Sequence, residues 1–160
     1  MAVGQHGLMG KQNVYEHSVG VPLMIKAAAQ HTGKKTADLC YLIDVFPTLC
    51  DMLQLPVPQS VDGISLLSSL DGKEPVRDYL YYSYMDNQRG ISDGTWKLIE
   101  YHVNGKRTTQ LFNLKNDPWE RNDLSGQKKY EKTIQRLREK MAEEQKRTND
   151  TSVFWNNFSY

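Results

Sequence analysis

The first half of the chain contains apolar segments separated by polar loops. Val21–Ala28 opens as a continuous apolar run, which predicts a strand buried on both faces. A polar turn, Gln30–Lys35, follows it. Apolar residues then recur at three- and four-residue steps over Ala37–Leu53, which predicts an amphipathic helix capped by Thr36. Pro47 lies inside this helix and is expected to kink or split it. The apolar stripe consists of Leu39, Leu42, Ile43, Phe46, Leu49, Cys50 and Leu53.

Two acids lie within this helix, and each has two interpretations. As paired carboxylates, Asp44 and Asp51 would suit acid–base chemistry. The pattern favours the simpler interpretation, in which Asp44 hydrogen-bonds backbone groups near Pro47 and Asp51 is solvated.

The second half of the chain changes to short aromatic and β-branched runs. Asn104-Gly105 separates the last two of these runs and is a strong hairpin signal, since both residue types tolerate positive φ. The pattern predicts a four-stranded antiparallel meander over Tyr79–Tyr84, Gln88–Ser92, Trp96–Val103 and Thr108–Leu114.

A long polar helix, Ser125–Arg147, is predicted after these strands. A narrow apolar stripe on one face of this helix would pack on the sheet, and it consists of Tyr130, Ile134, Leu137 and Met141. Gly72–Pro75 is a candidate linker, so the predicted division is a main α/β domain over residues 1–72, a subdomain over 73–147 and a tail over 148–160. The tail carries Phe154, Trp155 and Phe158.

Composition favours a globular protein without a strong charge preference. The 160 residues are 39% hydrophobic, and 20 Lys+Arg against 19 Asp+Glu give a net charge of +1. This balance offers no electrostatic argument for nucleic acid as a partner. No apolar run approaches the ~18 residues of a transmembrane helix. Cys40 and Cys50 lie roughly 15 Å apart along the predicted helix, too far for a mutual disulfide, and resemble small buried hydrophobes.

The stretch Gly4–Pro22 gathers the residues with the most chemistry. His6, Lys11, Glu16 and His17 lie among glycines, which let a backbone turn sharply and approach a ligand closely. Polar loops next to a buried strand are common binding sites in α/β proteins. Taken alone, the spacing of these residues favours an ordinary surface loop with solvated His and Lys side chains.

The motif G-x-H-G-L-x-G-K, followed by Y-E and V-P-L-x-I, resembles the segment after the second metal-ligand pair in type I sulfatases of the alkaline phosphatase superfamily. Later motifs keep the order of that family: D-x-x-P-T at Asp44–Thr48, D-G-x-S-L at Asp62–Leu66, W-K-L-I from Trp96, L-F-x-L from Leu111 and a closing D-P-x-E motif from Asp117. The resemblance implies the end of an alkaline-phosphatase-like α/β sandwich, followed by a small antiparallel four-stranded sheet with a C-terminal helix.

The resemblance also implies a sulfuric ester hydrolase that acts on a sulfated small molecule or carbohydrate. Such enzymes use a formylglycine nucleophile, made within a Cys/Ser-x-Pro/Ala-x-Arg motif, and usually a calcium ion held by acidic residues. This chain has neither that motif nor an acid cluster that would build a calcium site alone. Both are expected in a missing N-terminal part of the same protein, so the chain itself is expected to be inactive. Family tendency implies an extracellular, periplasmic or lysosomal location.

Four residues receive roles from the resemblance. Lys11 corresponds to the lysine that contacts the sulfate, and His6 either touches the substrate or braces its loop. His17 is a candidate lining residue of the substrate pocket. Glu16 is expected to hydrogen-bond backbone or to pair with a base. Many relatives have arginine where this chain has Gly20, which removes one possible partner of Glu16.

Two other function classes remain open at this point. The parent protein is alternatively a related phosphate or phosphonate ester hydrolase, which a Thr or Ser nucleophile outside the formylglycine motif would indicate. The chain is otherwise a stand-alone binding or structural module. The apolar Val21–Ala28 run argues against a module, because few segments of the chain are left to cover it.

Overall fold

The computed structural model describes residues 1–26, 33 and 35–152. It forms two compact units, one containing Met1–Pro22 and Tyr81–Tyr160 and the other Leu23–Leu80. In chain order the helices and strands are β1 (Ala2–Val3), β2 (Met9–Gly10), α1 (Glu16–Val19), α2 (Val45–Met52), α3 (Leu67–Leu70), β3 (Leu80–Tyr84), β4 (Gln88–Ser92), β5 (Trp96–Val103), β6 (Lys106–Asn113) and α4 (Glu131–Arg147).

The four-stranded antiparallel sheet is confirmed, with the strand order β3-β4-β5-β6. The predicted hairpin joins its last two strands, and Val103 pairs with Lys106 across the turn. Asn104 and Gly105 adopt φ values of 53° and 75°, which the two-residue turn requires. This part of the fold follows from local sequence signals.

Both faces of the sheet are covered within its own unit. On one face α4 buries Ile134, Leu137 and Met141, as its apolar stripe predicted. On the other face, Val14 and Tyr15 form a core with sheet residues such as Ile99 and Phe112. The N-terminal segment is therefore part of the same core as the C-terminal sheet.

The C-terminal helix begins later than predicted, at Glu131 rather than at Ser125. Asp123 Oδ1 accepts hydrogen bonds from the backbone amides of Leu111 and Ser125, at 3.0 and 2.9 Å. These bonds hold the chain against the end of β6. A 3₁₀ turn, Lys128–Tyr130, then leads into α4.

The helix predicted over Ala37–Leu53 is shorter in the structure. A 3₁₀ turn, Leu42–Asp44, precedes α2, and Pro47 lies in the first turn of α2. A proline there removes no intrahelical hydrogen bond, so the predicted kink is wrong. Most of the apolar stripe predicted for this helix is exposed, with Leu42, Ile43, Phe46, Leu49 and Leu53 all open to solvent.

Asp44 is buried and binds backbone, as the simpler interpretation predicted, whereas Asp51 is exposed. Its carboxylate accepts from the amides of Tyr41 and Ile64 and pairs with Arg77. Burial alone would raise the pKa of Asp44, but Arg77 and the two amides outweigh it and hold the pKa below its ordinary value. Gly63 lies against Ile43, and a Cβ at Gly63 would overlap the Ile43 carbonyl oxygen.

The strand predicted over Val21–Ala28 is wrong for residues 21–26, which have no regular secondary structure. Met24 is 90% exposed. A strand requires a hydrogen-bonded neighbour, and no strand of the described residues pairs with this segment. Ala27 and Ala28, most of the Gln30–Lys35 turn, and the tail aromatics Phe154, Trp155 and Phe158 lie outside the described residues.

The compact units divide the chain at residues 22/23 and 80/81 rather than at 72/73. The assignment of residues 1–72 to the end of a catalytic domain stays a prediction. Cys50 is buried, as predicted, whereas Cys40 is only partly buried, and both cysteines are free. Within the described ranges, no helix combines the length and hydrophobicity of a membrane span.

Candidate functional site

The opening loop is a tight turn between β1 and β2. Gly4 and Gly7 adopt φ values of 100° and 70°, and the Gly4 amide donates to the Leu8 carbonyl at 2.9 Å. His6 itself adopts a positive φ of 54°, which few side-chain-bearing residues tolerate. This turn places the His6 ring on the Tyr15 ring, with centroids 4.0 Å apart and an interplanar angle of 4°.

His17 extends this aromatic cluster from α1. Its ring centroid lies 5.6 Å from His6 and 5.7 Å from Tyr15. Burial lowers the pKa of His17, and electrostatic interactions with His6, the N-terminal ammonium and Lys97 act in the same direction. Its Nε2 is shielded from solvent and has no hydrogen-bond partner among the described residues. The structure therefore brings together two of the residues predicted from the sequence, His6 and His17.

These histidines line a cleft of about 550 Å³ together with Gln5, Trp119 and Arg121. His6 Nε2 lies 3.3 Å from the backbone carbonyl oxygen of Trp119, so the first loop of the chain contacts the turn after β6. Trp119 is 68% exposed although it is a large aromatic residue. The cleft thus combines an aromatic surface with groups that donate hydrogen bonds.

Glu16 pairs with a base, as one of its two predicted roles required. Its Oε1 accepts from the Lys97 ammonium at 2.8 Å, and Lys97 lies 3.1 Å from Oε1 of Glu120. Lys97 is fully buried and also lies over the Tyr82 ring, 5.0 Å from its centroid. Burial raises the pKa of Glu120, although the Lys97 ammonium beside it acts in the opposite direction. We call Glu16, Lys97 and Glu120 the buried triad, although the Glu16 side chain is 31% exposed.

The buried triad joins the two sides of the cleft. Glu16 lies between Tyr15 and His17 in the chain, whereas Glu120 lies between Trp119 and Arg121. The backbone amide of Glu16 donates to Glu120 Oε2 at 2.6 Å. Because every member is anchored by another, the triad fixes the spacing between α1 and the turn after β6.

Gly20 provides the space that Glu16 occupies. A Cβ at Gly20 would lie 2.8 Å from both the carbonyl oxygen and Oε2 of Glu16. The backbone at Gly20 is therefore close to the Glu16 carboxylate. The cation that pairs with this carboxylate is Lys97.

Lys11 lies outside this cluster. It follows β2 directly, its side chain is exposed, and it is not among the residues that line the cleft. In the part of the chain that the structure describes, no group of three or more His, Cys, Asp or Glu side chains is arranged to hold a metal ion.

Sequence reasoning missed Lys97 and Glu120 as members of the site, and also Trp119 and Arg121. A signal was present at Lys97, since it is a charged residue inside the otherwise apolar start of β5. Residues 97–100 are all buried, which alternation alone does not predict for a strand with one solvated face. Glu120 belongs to the closing D-P-x-E motif, but no local feature of the sequence indicates that its side chain is buried.

Residues 4–147 match the family described as N-sulphoglucosamine sulphohydrolase, C-terminal. The chain belongs to this sulfatase family. An N-acetylglucosamine-6-O-sulfatase of Bacteroides thetaiotaomicron is 29% identical over 161 residues, covering 92% of this chain and 29% of the relative. Human arylsulfatase K is 26% identical over 127 residues, covering 71% of this chain and 24% of the relative.

A similar solved structure is that of a protein in complex with its substrate, D-glucosamine-2-N,6-O-disulfate. It matches this sulfatase-family chain with a TM-score of 0.59 and 29% identity, over 68% of this chain and 24% of that one. The chain thus spans less than a third of the length of these relatives. The sulfatase resemblance seen in the sequence motifs is confirmed, and with it the alkaline-phosphatase-like fold class.

Proposed function

We propose that the chain is the C-terminal part of an enzyme that hydrolyses sulfate esters of sugars, and that Lys11 contacts the sulfate group. The match of residues 4–147 to the sulphohydrolase family carries this proposal. The relatives support the substrate class, because two of them are named for a sulfated amino sugar as the compound acted on or bound.

The setting of Lys11 suits contact with an anion. Lys11 follows Gly10, which has a φ of 89°, and Ala2 of β1 pairs with Gly10, so the backbone before the lysine is fixed. No ion pair to a carboxylate engages Lys11 within the described ranges, and its ammonium remains available to a ligand. As the bond to the leaving group breaks, negative charge in the sulfate ester moves toward the bridging oxygen atom. A cation that is already held at the site stabilises this redistributed charge.

Calcium and formylglycine belong to the other part of the proposed enzyme. A calcium ion held outside this chain would supply positive charge beside the oxygen atoms of the substrate. The described residues do not fit a calcium site, because no cluster of carboxylates is present among them. We therefore assign this chain anion contact and pocket lining, and expect the 160-residue chain alone to show no turnover.

Kinetics of the complete enzyme test the role of Lys11. Lys11→Ala should lower kcat/KM for a sugar sulfate ester by roughly 10²–10³-fold, the usual cost of losing a preorganised charge-stabilising group. Lys115→Ala is the matched control, since it removes another exposed lysine of the same unit. Equal kcat/KM values for the two variants would reject the assignment of Lys11.

A further inference from the structure

The turn after β6 presents alternate side chains inward and outward. Glu120 has a positive φ of 54° and a buried side chain, whereas its neighbours Trp119 and Arg121 are exposed. The backbone of this turn is well bonded: the Glu120 amide donates to the Asp117 carbonyl at 3.0 Å, and the Asn122 amide donates to Asp117 Oδ2 at 2.8 Å. Anchored at Glu120, the turn holds Trp119 and Arg121 on the cleft.

Arg121 differs from most arginines of the chain. No carboxylate lies within ion-pair distance of Arg121 among the described residues, while a carboxylate holds each of Arg77, Arg89, Arg136, Arg138 and Arg147. An unpaired guanidinium beside a cleft is well suited to an anionic ligand, because its planar donors match two oxygen atoms at once.

Trp119 supplies the apolar part of the same surface. Tryptophan is enriched at binding interfaces, and indole combines a broad apolar face with one donor. The same cleft is lined by the His6 ring, which stacks on Tyr15, and by His17. An aromatic plane, two imidazole rings and one guanidinium without a carboxylate partner among the described residues together match a polar ring that carries a negative charge.

We infer that this cleft is a sugar-binding subsite, in which the pyranose ring packs on Trp119 and an anionic group other than the hydrolysed sulfate ester binds Arg121. This inference rests on the proposed function, because it extends the substrate from a sulfate ester to a sugar with a second anionic group. The anionic group is a sulfate or a carboxylate, since the guanidinium binds both in the same way.

Binding to the 160-residue chain tests the subsite independently of turnover. Indole and imidazole NMR signals are followed during titration with four probes: inorganic sulfate, N-acetylglucosamine 6-sulfate, D-glucosamine-2-N,6-O-disulfate and glucuronic acid. Trp119→Ala should weaken binding of the disulfated sugar by about tenfold, the scale of one lost aromatic contact, and leave inorganic sulfate unaffected. Arg121→Gln should weaken the disulfated sugar much more than the monosulfated one.

Comparison of the probes identifies the anionic group. Loss of glucuronic acid binding in Arg121→Gln indicates a carboxylate, and loss confined to the disulfated sugar indicates a sulfate. Trp119→Phe, which keeps an aromatic face, should retain most of the affinity and guards against an indirect effect on folding. Lys115→Ala should change nothing.

Two outcomes would overturn the inference. One is sugar binding that shifts signals outside the cleft, and the other is equal affinity of the wild type and both cleft variants. Either result leaves the sulfatase proposal intact if Lys11→Ala still impairs turnover of the complete enzyme. Conversely, the sugar probes could bind at the cleft while Lys11→Ala leaves kcat/KM of the complete enzyme unchanged. That result would reject the role of Lys11 and support the subsite.

Discussion

The backbone amide of Glu16 donates to Oε2 of Glu120 over 2.6 Å, although the two residues are 104 positions apart. Lys97, from a third segment, lies between their carboxylates. One charged network therefore connects the helix that carries His17 with the turn that carries Trp119. The shape of the cleft depends on this network.

Removing the base from the buried triad should be costly. Lys97→Met keeps a long side chain but leaves the Glu120 carboxylate buried without its cation, so we expect a loss of about 3–5 kcal/mol in the free energy of unfolding. Urea unfolding, followed by circular dichroism, measures this loss. Lys115→Ala is the control and should stay within about 0.5 kcal/mol of wild type.

The double variant Lys97→Met/Glu120→Gln separates charge burial from packing. It removes both the cation and the most buried carboxylate, so it should be more stable than Lys97→Met alone. If the double variant lost as much free energy of unfolding as the two single variants lose together, the triad would contribute no coupling energy.

Gly63 should tolerate no side chain, because a Cβ there overlaps the Ile43 carbonyl oxygen. Gly63→Ala is expected to destabilise its unit by about 1–3 kcal/mol through overpacking. Gly126→Ala is the matched control, since nothing lies within 4 Å of a Cβ built there. Similar unfolding midpoints for the two variants would contradict the packing seen at Gly63.

Asp44 gives an acid-sensitive contribution to stability. Its pKa is held below the ordinary value of 3.8, so the folded state binds fewer protons than the unfolded state does near that pH. The contribution is present above pH 3.8 and is lost as pH falls through the lowered pKa. Asp44→Asn should reduce the steepness of acid unfolding in this range, measured by denaturant titration at successive pH values.

The same variant should also be less stable at neutral pH, because it leaves the Arg77 guanidinium buried without its carboxylate. Asp44→Asn/Arg77→Gln removes both charges and should recover part of the loss. An acid-unfolding profile of Asp44→Asn that coincides with that of the wild type would refute this account of Asp44.

His17 should titrate below the ordinary histidine value of 6.5, because burial and neighbouring positive charge both disfavour its protonation. The folded state then binds fewer protons, so the protein should lose stability as pH falls below 6.5. An NMR titration of the His17 ring checks the direction. A His17 pKa higher in the folded protein than in the urea-unfolded protein would contradict the structure.

How far the sequence predicted this fold depended on how local each signal was. Asn104-Gly105 and the stripe of α4 are encoded within a few residues, and both predictions are confirmed. The strand prediction for Val21–Ala28 is wrong over residues 21–26 because hydrophobicity indicates burial but not a pairing partner, and these residues have none among the described strands.

The candidate site was only partly predictable, because some of its residues are brought together by contacts between distant segments of the chain. His6, His17 and Glu16 lie in one stretch, and the family motif directed attention to them. Lys97 and Glu120 join that stretch only through tertiary contacts at 2.8 and 2.6 Å with Glu16. The spacing of residues along the chain does not indicate that Lys97 in β5 will pair with Glu120 in the turn after β6.

The central claim is that Lys11 contacts the sulfate of the substrate. The most direct test is a crystal structure of the complete enzyme with a bound sugar sulfate ester, in which the distance from Lys11 Nζ to the nearest sulfate oxygen is measured. We predict a charge-assisted hydrogen bond of about 2.7–3.2 Å. A sulfate bound in the active site with the Lys11 ammonium in solvent, beyond hydrogen-bond distance, would contradict the claim.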